Sequence, residues 1–181
     1  MMKQIATDAA TAQRQWGWYL ADGIILILVG IYALYAEGLA TLSAVFAIGV
    51  VLVIAGVVQF VGAFMARSAG HVILLLLVGV LDIIVGLVLL QHPGLGALAI
   101  TLLLAAIFIF GGIYRFVSAL LLQFPNYGWV AASGVISFIL GILLWMQWPV
   151  SAFWFIGFAV GLNFIFAGIA WSSLGLRLKP S

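Results

Sequence analysis

Ten residues separate His71 from Asp82 and nine separate Asp82 from His92, and the intervening chain is almost entirely apolar. Neither side alone is long enough to cross a bilayer, so the Asp82 carboxyl is placed near the middle of an apolar helix. A carboxylate there costs about 2.5 to 3.5 kcal/mol, which calls for a partner, water, or a proton that leaves the group neutral. Two readings follow. One is a proton-responsive or ion-facing carboxyl; the other is a buried acid that fixes packing through a hydrogen bond to a neighbouring helix. Ser137 and Asn163 are the mid-depth partners the sequence offers, and with Asp82 they form the candidate polar path. Ser137 shares the packed face of its helix, whereas Asn163, two residues from Gly161, points away from its helix's small-residue stripe.

Arg115 follows 22 uncharged residues after His92, about 33 Å of helix, which puts it near the opposite interface. Asp22, about one turn inside Trp18, matches that depth, so a structural Asp22–Arg115 ion pair is expected. His71 and His92 fall on opposite sides of the membrane and cannot share one metal site. Without cysteine, neither a disulfide nor a thiolate centre can form. No nucleophile–histidine–acid set, nucleotide loop or pair of catalytic carboxylates is present. The expectation is a protein that is not an enzyme and that uses no cofactor or metal.

These side chains are carried on a repeated pattern of small residues. First helices hold Gly23 and Gly30, Gly79 and Gly86, and Gly134 and Gly141. Second helices hold Gly49, Gly56 and Ala63, then Ala105, Gly112 and Ala119, then Gly161, Gly168 and Gly175. Every step within a helix is seven residues, two turns less about 20°, so each set forms a nearly straight stripe along one face. The copies recur about every 56 residues, a spacing counted directly from the sequence. Asp82 corresponds to Leu26 and Ser137 in the other copies, and Arg115 to Gln59 and Trp171. Chemistry is sought where the copies disagree.

Of 181 residues, 67% are hydrophobic and 6% charged, and the mean hydropathy is +1.40, far outside the globular range. Six apolar runs predict spans at 18–36, 41–65, 72–91, 96–120, 128–147 and 152–175. The fold class is therefore all-α: a polytopic membrane protein of six helices, arranged as three tandem parallel hairpins with pseudo-threefold character. Repeats cover about 16–67, 68–123 and 124–175, preceded by a segment at 1–15 and followed by a basic tail at 176–181. Small-residue stripes supply close packing where lipid gives no hydrophobic drive. Phe108, Phe110, Phe138, Phe164 and Phe166 are expected to fill the centre of the inner half.

Lys3, Arg14, Arg67, Arg177 and Lys179 all lie on one side, with Arg115 at its edge, and the opposite loops hold no Lys or Arg. The positive-inside rule then puts both termini in the cytoplasm. The net charge of +2 gives no reason to expect nucleic acid as a partner. The lipid bilayer is the expected partner, with a homo-oligomer or protein partner left open.

The segments Gly79-Val80-Leu81-Asp82-Ile83 and Gly111-Gly112-Ile113-Tyr114-Arg115, together with turns containing Pro93 and Pro149, resemble the short-repeat membrane proteins of the HdeD acid-resistance family. The resemblance covers roughly residues 16 to 175, and Glu37 departs from it where the later turns have proline. It implies a six-span protein of the bacterial inner membrane, linked to survival at low pH, with no enzymatic activity or cofactor. The function expected is a non-enzymatic role in acid or envelope stress resistance. The alternative is a small channel or transporter for protons or small solutes with Asp82 in its polar path.

Overall fold

The computed structural model describes residues 16–65, 68–122 and 127–179. Lys3, Arg14 and Arg67 of the basic set, and Pro125 and Asn126 of the fourth connection, lie outside them. The described residues form six helices: α1 Trp16–Tyr35, α2 Glu37–Ala63, α3 Ala69–Gln91, α4 Pro93–Leu122, α5 Tyr127–Met146 and α6 Ser151–Leu178. All six are long and apolar enough to cross a membrane. Much of their aliphatic and aromatic surface is exposed, which is the surface a bilayer covers. The chain is an integral membrane protein by this measure.

Second helices begin earlier than the hydropathy runs predict. Pro93 is the first residue of α4, where its fixed φ suits a helix start and its missing N–H is no loss. Glu37 takes the same place in α2, where its charge complements the positive end of the helix dipole. The first repeat thus starts its second helix with a different residue serving the same position. At the opposite end of the repeat, Ser68 caps α3 by accepting from the His71 backbone N–H at 3.4 Å.

The helices group into two compact units, one built on α1 and most of α6, the other on residues 41–156. In the first unit α1 packs along α6: a Cβ added at Gly30 would stand 2.7 Å from the Gly161 carbonyl oxygen. In the second unit α2 packs along α3, where a Cβ at Gly56 would stand 2.6 Å from the Gly79 oxygen. There too α4 packs along α5, with the Gly112 position 2.7 Å from the Gly134 oxygen. The stripes therefore mate across repeat boundaries and not inside a repeat. Each first helix meets the second helix of another copy, and the joint inside a repeat is a turn contact, such as Leu89 against Gly96. A glycine stripe needs an equally small stripe opposite it. The observed pairing, across repeat boundaries, sets small residues against small residues.

In the second unit a group of fully buried residues lies in the N-terminal parts of the second helices, toward the intra-repeat turns. Thr41, Val45, Ala97, Thr101, Ser151 and Ala152 have no exposed surface. The aromatic filling expected elsewhere is different: Phe110 and Phe166 are 72% and 66% exposed, while Phe108, Phe138 and Phe164 are half-buried. The reason is angular. Phe110 and Phe166 lie two residues before Gly112 and Gly168, on the far side of the helix, whereas the other three lie four residues from a stripe glycine and keep near its face.

Ser151 Oγ donates to the Leu144 carbonyl at 2.8 Å, closing the turn between α5 and α6. Thr101 Oγ1 is buried with no hydrogen-bond partner among the described residues. Removing an unsatisfied hydroxyl while keeping the shape costs no hydrogen bond and relieves its desolvation. Thr101→Val is therefore expected to raise the thermal unfolding temperature in detergent, by a stabilisation of about 1 kcal/mol. A lower unfolding temperature would show that the hydroxyl holds a water or a partner.

Candidate functional site

The candidate site is a register that recurs on all three packed helix pairs, three residues past the first glycine of each first helix and past the central glycine of each second-helix stripe. On the α2/α3 pair, Gly56 faces the turn from Gly79 to Ile83, and Gly79 faces the turn from Gly56 to Phe60. The helices are antiparallel, so Gln59 and Asp82 sit about four residues, or about 6 Å, apart along the axis. A glutamine side chain spans that offset. Gln59 Nε2 donates to Asp82 Oδ2 at 2.8 Å, and both residues are half-buried.

On the α4/α5 pair the same two positions hold Arg115 and Ser137. Arg115 Nη1 donates to Ser137 Oγ at 3.0 Å. Arg115 lies toward the C-terminal end of α4 and reaches back along the seam toward the middle of α5, rather than outward to the helix end as a snorkelling arginine does. On the α1/α6 pair the positions hold Leu26 and Trp171, with Tyr19 stacked on Trp171.

This arrangement corrects several expectations. Asp82 is bonded to Gln59, not to Ser137. Ser137 serves Arg115, so the guanidinium finds a partner on the neighbouring helix of its own seam. Asp22 lies in the first unit beside Tyr19 and Trp171. Asn163 is exposed on α6, as its distance from the stripe implied, and takes no place in this register. His71 and His92 stand exposed at opposite ends of α3.

Gln59 is the residue the sequence reading left unassigned as a partner, although its equivalence to Arg115 and Trp171 was visible. The missing step was which helix its stripe would meet. Once α2 is set against α3, the two disagreeing positions of the repeat become a single contact. Chemically, the Gln59–Asp82 pair has one property that a Lys or Arg partner would lack. A primary amide donates to a carboxylate through its NH₂ and accepts from a carboxylic acid through its carbonyl. The acid can therefore change protonation state without losing its partner.

A family model described as a short repeat of unknown function (DUF308) matches residues 21–91 and again residues 77–146. The two matches begin 77 − 21 = 56 residues apart, the period of the glycine pattern. The first runs from α1 through α3 and the second from α3 through α5, so each contains one complete glycine-packed pair. No curated protein and no solved structure matches the chain.

Proposed function

Since the chain belongs to the family of short repeats of unknown function (DUF308), we propose that it is a non-enzymatic integral membrane protein of the HdeD type. Its place is the bacterial inner membrane, with both termini cytoplasmic, and its role is resistance to acid or envelope stress. The observation that carries this reading is the Gln59–Asp82 bond within the apolar spans. It sets a titratable group where protonation changes the charge of the helix pair but not its connection. The polar groups that face Asp82 across its seam come from α2, where Gln59 is the partner; His71 lies on its own helix, near the N-terminal end.

A second reading, a proton or small-solute pathway, draws on the recurrence of a polar bond at the same register, Arg115 to Ser137. Acid-challenge survival of bacteria carrying the chain as their one copy tests the first reading. The Asp82→Asn variant keeps a polar group beside Gln59 but cannot titrate. Survival is expected to fall while the amount of protein in the membrane stays unchanged; undiminished survival would remove the titrating role. Proton and ion flux into liposomes containing the purified protein separates the two readings, because only the pathway requires flux that disappears in Asp82→Asn.

A further inference from the structure

At the register where α2/α3 and α4/α5 are each bridged by a hydrogen bond, the α1/α6 seam carries Leu26 and Trp171 and opens into a cavity. The cavity, of about 380 Å³, is lined by Tyr19, Asp22, Ile25, Leu26 and Trp171. Tyr19 and Trp171 lie parallel, with ring centroids 5.6 Å apart and planes 3° from each other. Asp22 follows Tyr19 by one turn of α1, so its carboxyl shares the face that carries the ring. We propose that this cavity binds an organic ammonium group attached to an apolar body, supplied by an aminophospholipid headgroup or by a free amphiphilic amine.

The lining fits that chemistry on three counts. Aromatic rings present negative faces to a cation, and the attraction grows when the cation is partly desolvated. A carboxylate beside them supplies a full opposite charge and, for a primary ammonium, a hydrogen-bond acceptor. Ile25 and Leu26 offer aliphatic surface to the ligand's alkyl groups. An anion would meet repulsion from Asp22, and a neutral apolar molecule would leave the carboxylate without a counter-charge. The chain's own described lysine lies elsewhere: the Lys179 ammonium sits over the Trp16 ring, 5.6 Å from its centroid. That contact shows the α1/α6 pair already holding an ammonium against an indole. The departure of the α1/α6 pair from hydrogen-bonded bridging thus leaves a recognisable site in place of a polar pin.

The test uses the purified full chain in detergent, titrated calorimetrically with benzyltrimethylammonium and with its neutral isostere neopentylbenzene. The cation is expected to bind about tenfold more tightly than the isostere. Asp22→Asn and Trp171→Leu are each expected to weaken it by a similar factor, while Glu37→Gln, at the start of α2, leaves it unchanged. Should Asp22→Asn fail to fold by circular dichroism, Leu26→Phe, which fills the cavity and keeps both the carboxylate and the rings, takes its place and is expected to exclude the cation. Nanodiscs of mixed phosphatidylethanolamine and phosphatidylglycerol, read by native mass spectrometry, identify the source. Retention of phosphatidylethanolamine that is lost in Asp22→Asn assigns the site to a headgroup. Cation binding in detergent without that lipid preference assigns it to a free amine. Equal binding of cation and isostere, or binding unaffected in Asp22→Asn and in Leu26→Phe, would overturn the proposal.

Discussion

Replacing Gly112 with leucine is expected to keep α4 and α5 apart and to leave little folded protein in the membrane. The first added atom alone would stand 2.6 Å from the Phe138 backbone nitrogen and 2.7 Å from the Gly134 carbonyl oxygen. Both belong to the backbone of a regular helix, so no rotamer change can make room and the helices must separate along their whole seam. Overpacking a well-packed interior costs typically 1 to 3 kcal/mol where side chains can adjust, and about the upper figure or more is expected where they cannot. Separation also weakens the Arg115–Ser137 bond one turn away. The control is Gly111→Leu. A Cβ added there has nothing within 4 Å, and leucine is well tolerated in an apolar span. Membrane abundance and thermal unfolding in detergent should therefore differ sharply between substitutions at two adjacent glycines. Comparable behaviour of the two variants would mean that the α4/α5 seam is not set by close backbone approach.

That contrast also marks what could be read from the chain. The stripe itself was legible, because seven-residue spacing fixes a face on any helix regardless of its neighbours. The six spans were legible for the same reason: length and hydropathy are properties of each segment alone. Which stripe meets which was not, since small residues carry no label for their partner and several pairings place glycine on glycine. From that one ambiguity the later errors follow. Ser137 was offered to Asp82 for its mid-depth place on the packed face of its helix, but the two hold equivalent positions in the repeat, equivalent residues sit on separate seams, and each seam joins a first-helix position to a second-helix one. Gln59 with Asp82 and Arg115 with Ser137 are the same contact written twice. The exposure of Phe110 and Phe166, by contrast, was available from the wheel, since both lie two residues from a stripe glycine.

Replacing Gln59 with leucine is expected to destabilise the protein more than replacing Asp82 with leucine, although the acid is the costlier residue to place in a membrane. In Gln59→Leu the carboxyl stays in the apolar seam and loses the donor 2.8 Å from Oδ2, so the insertion cost of about 2.5 to 3.5 kcal/mol sets the upper limit of the penalty. In Asp82→Leu the charge is gone, and what remains is a half-buried amide that has lost one interhelical hydrogen bond, a loss of about 1 kcal/mol. Removing both residues deletes the unpaired groups together, and a polar pair exchanged for apolar side chains is often neutral or stabilising. The double variant should thus lie near the parent, giving a coupling energy of opposite sign to the two single penalties. Thermal unfolding of all four proteins in one detergent measures the cycle. Asp82→Leu proving costlier than Gln59→Leu would mean that the carboxylate holds a further partner whose loss outweighs the removal of its charge. A stable double variant that no longer protects cells from acid would separate the two parts Asp82 plays: its pairing with Gln59 would be dispensable for the fold, and its ionisable oxygen would be required for the function.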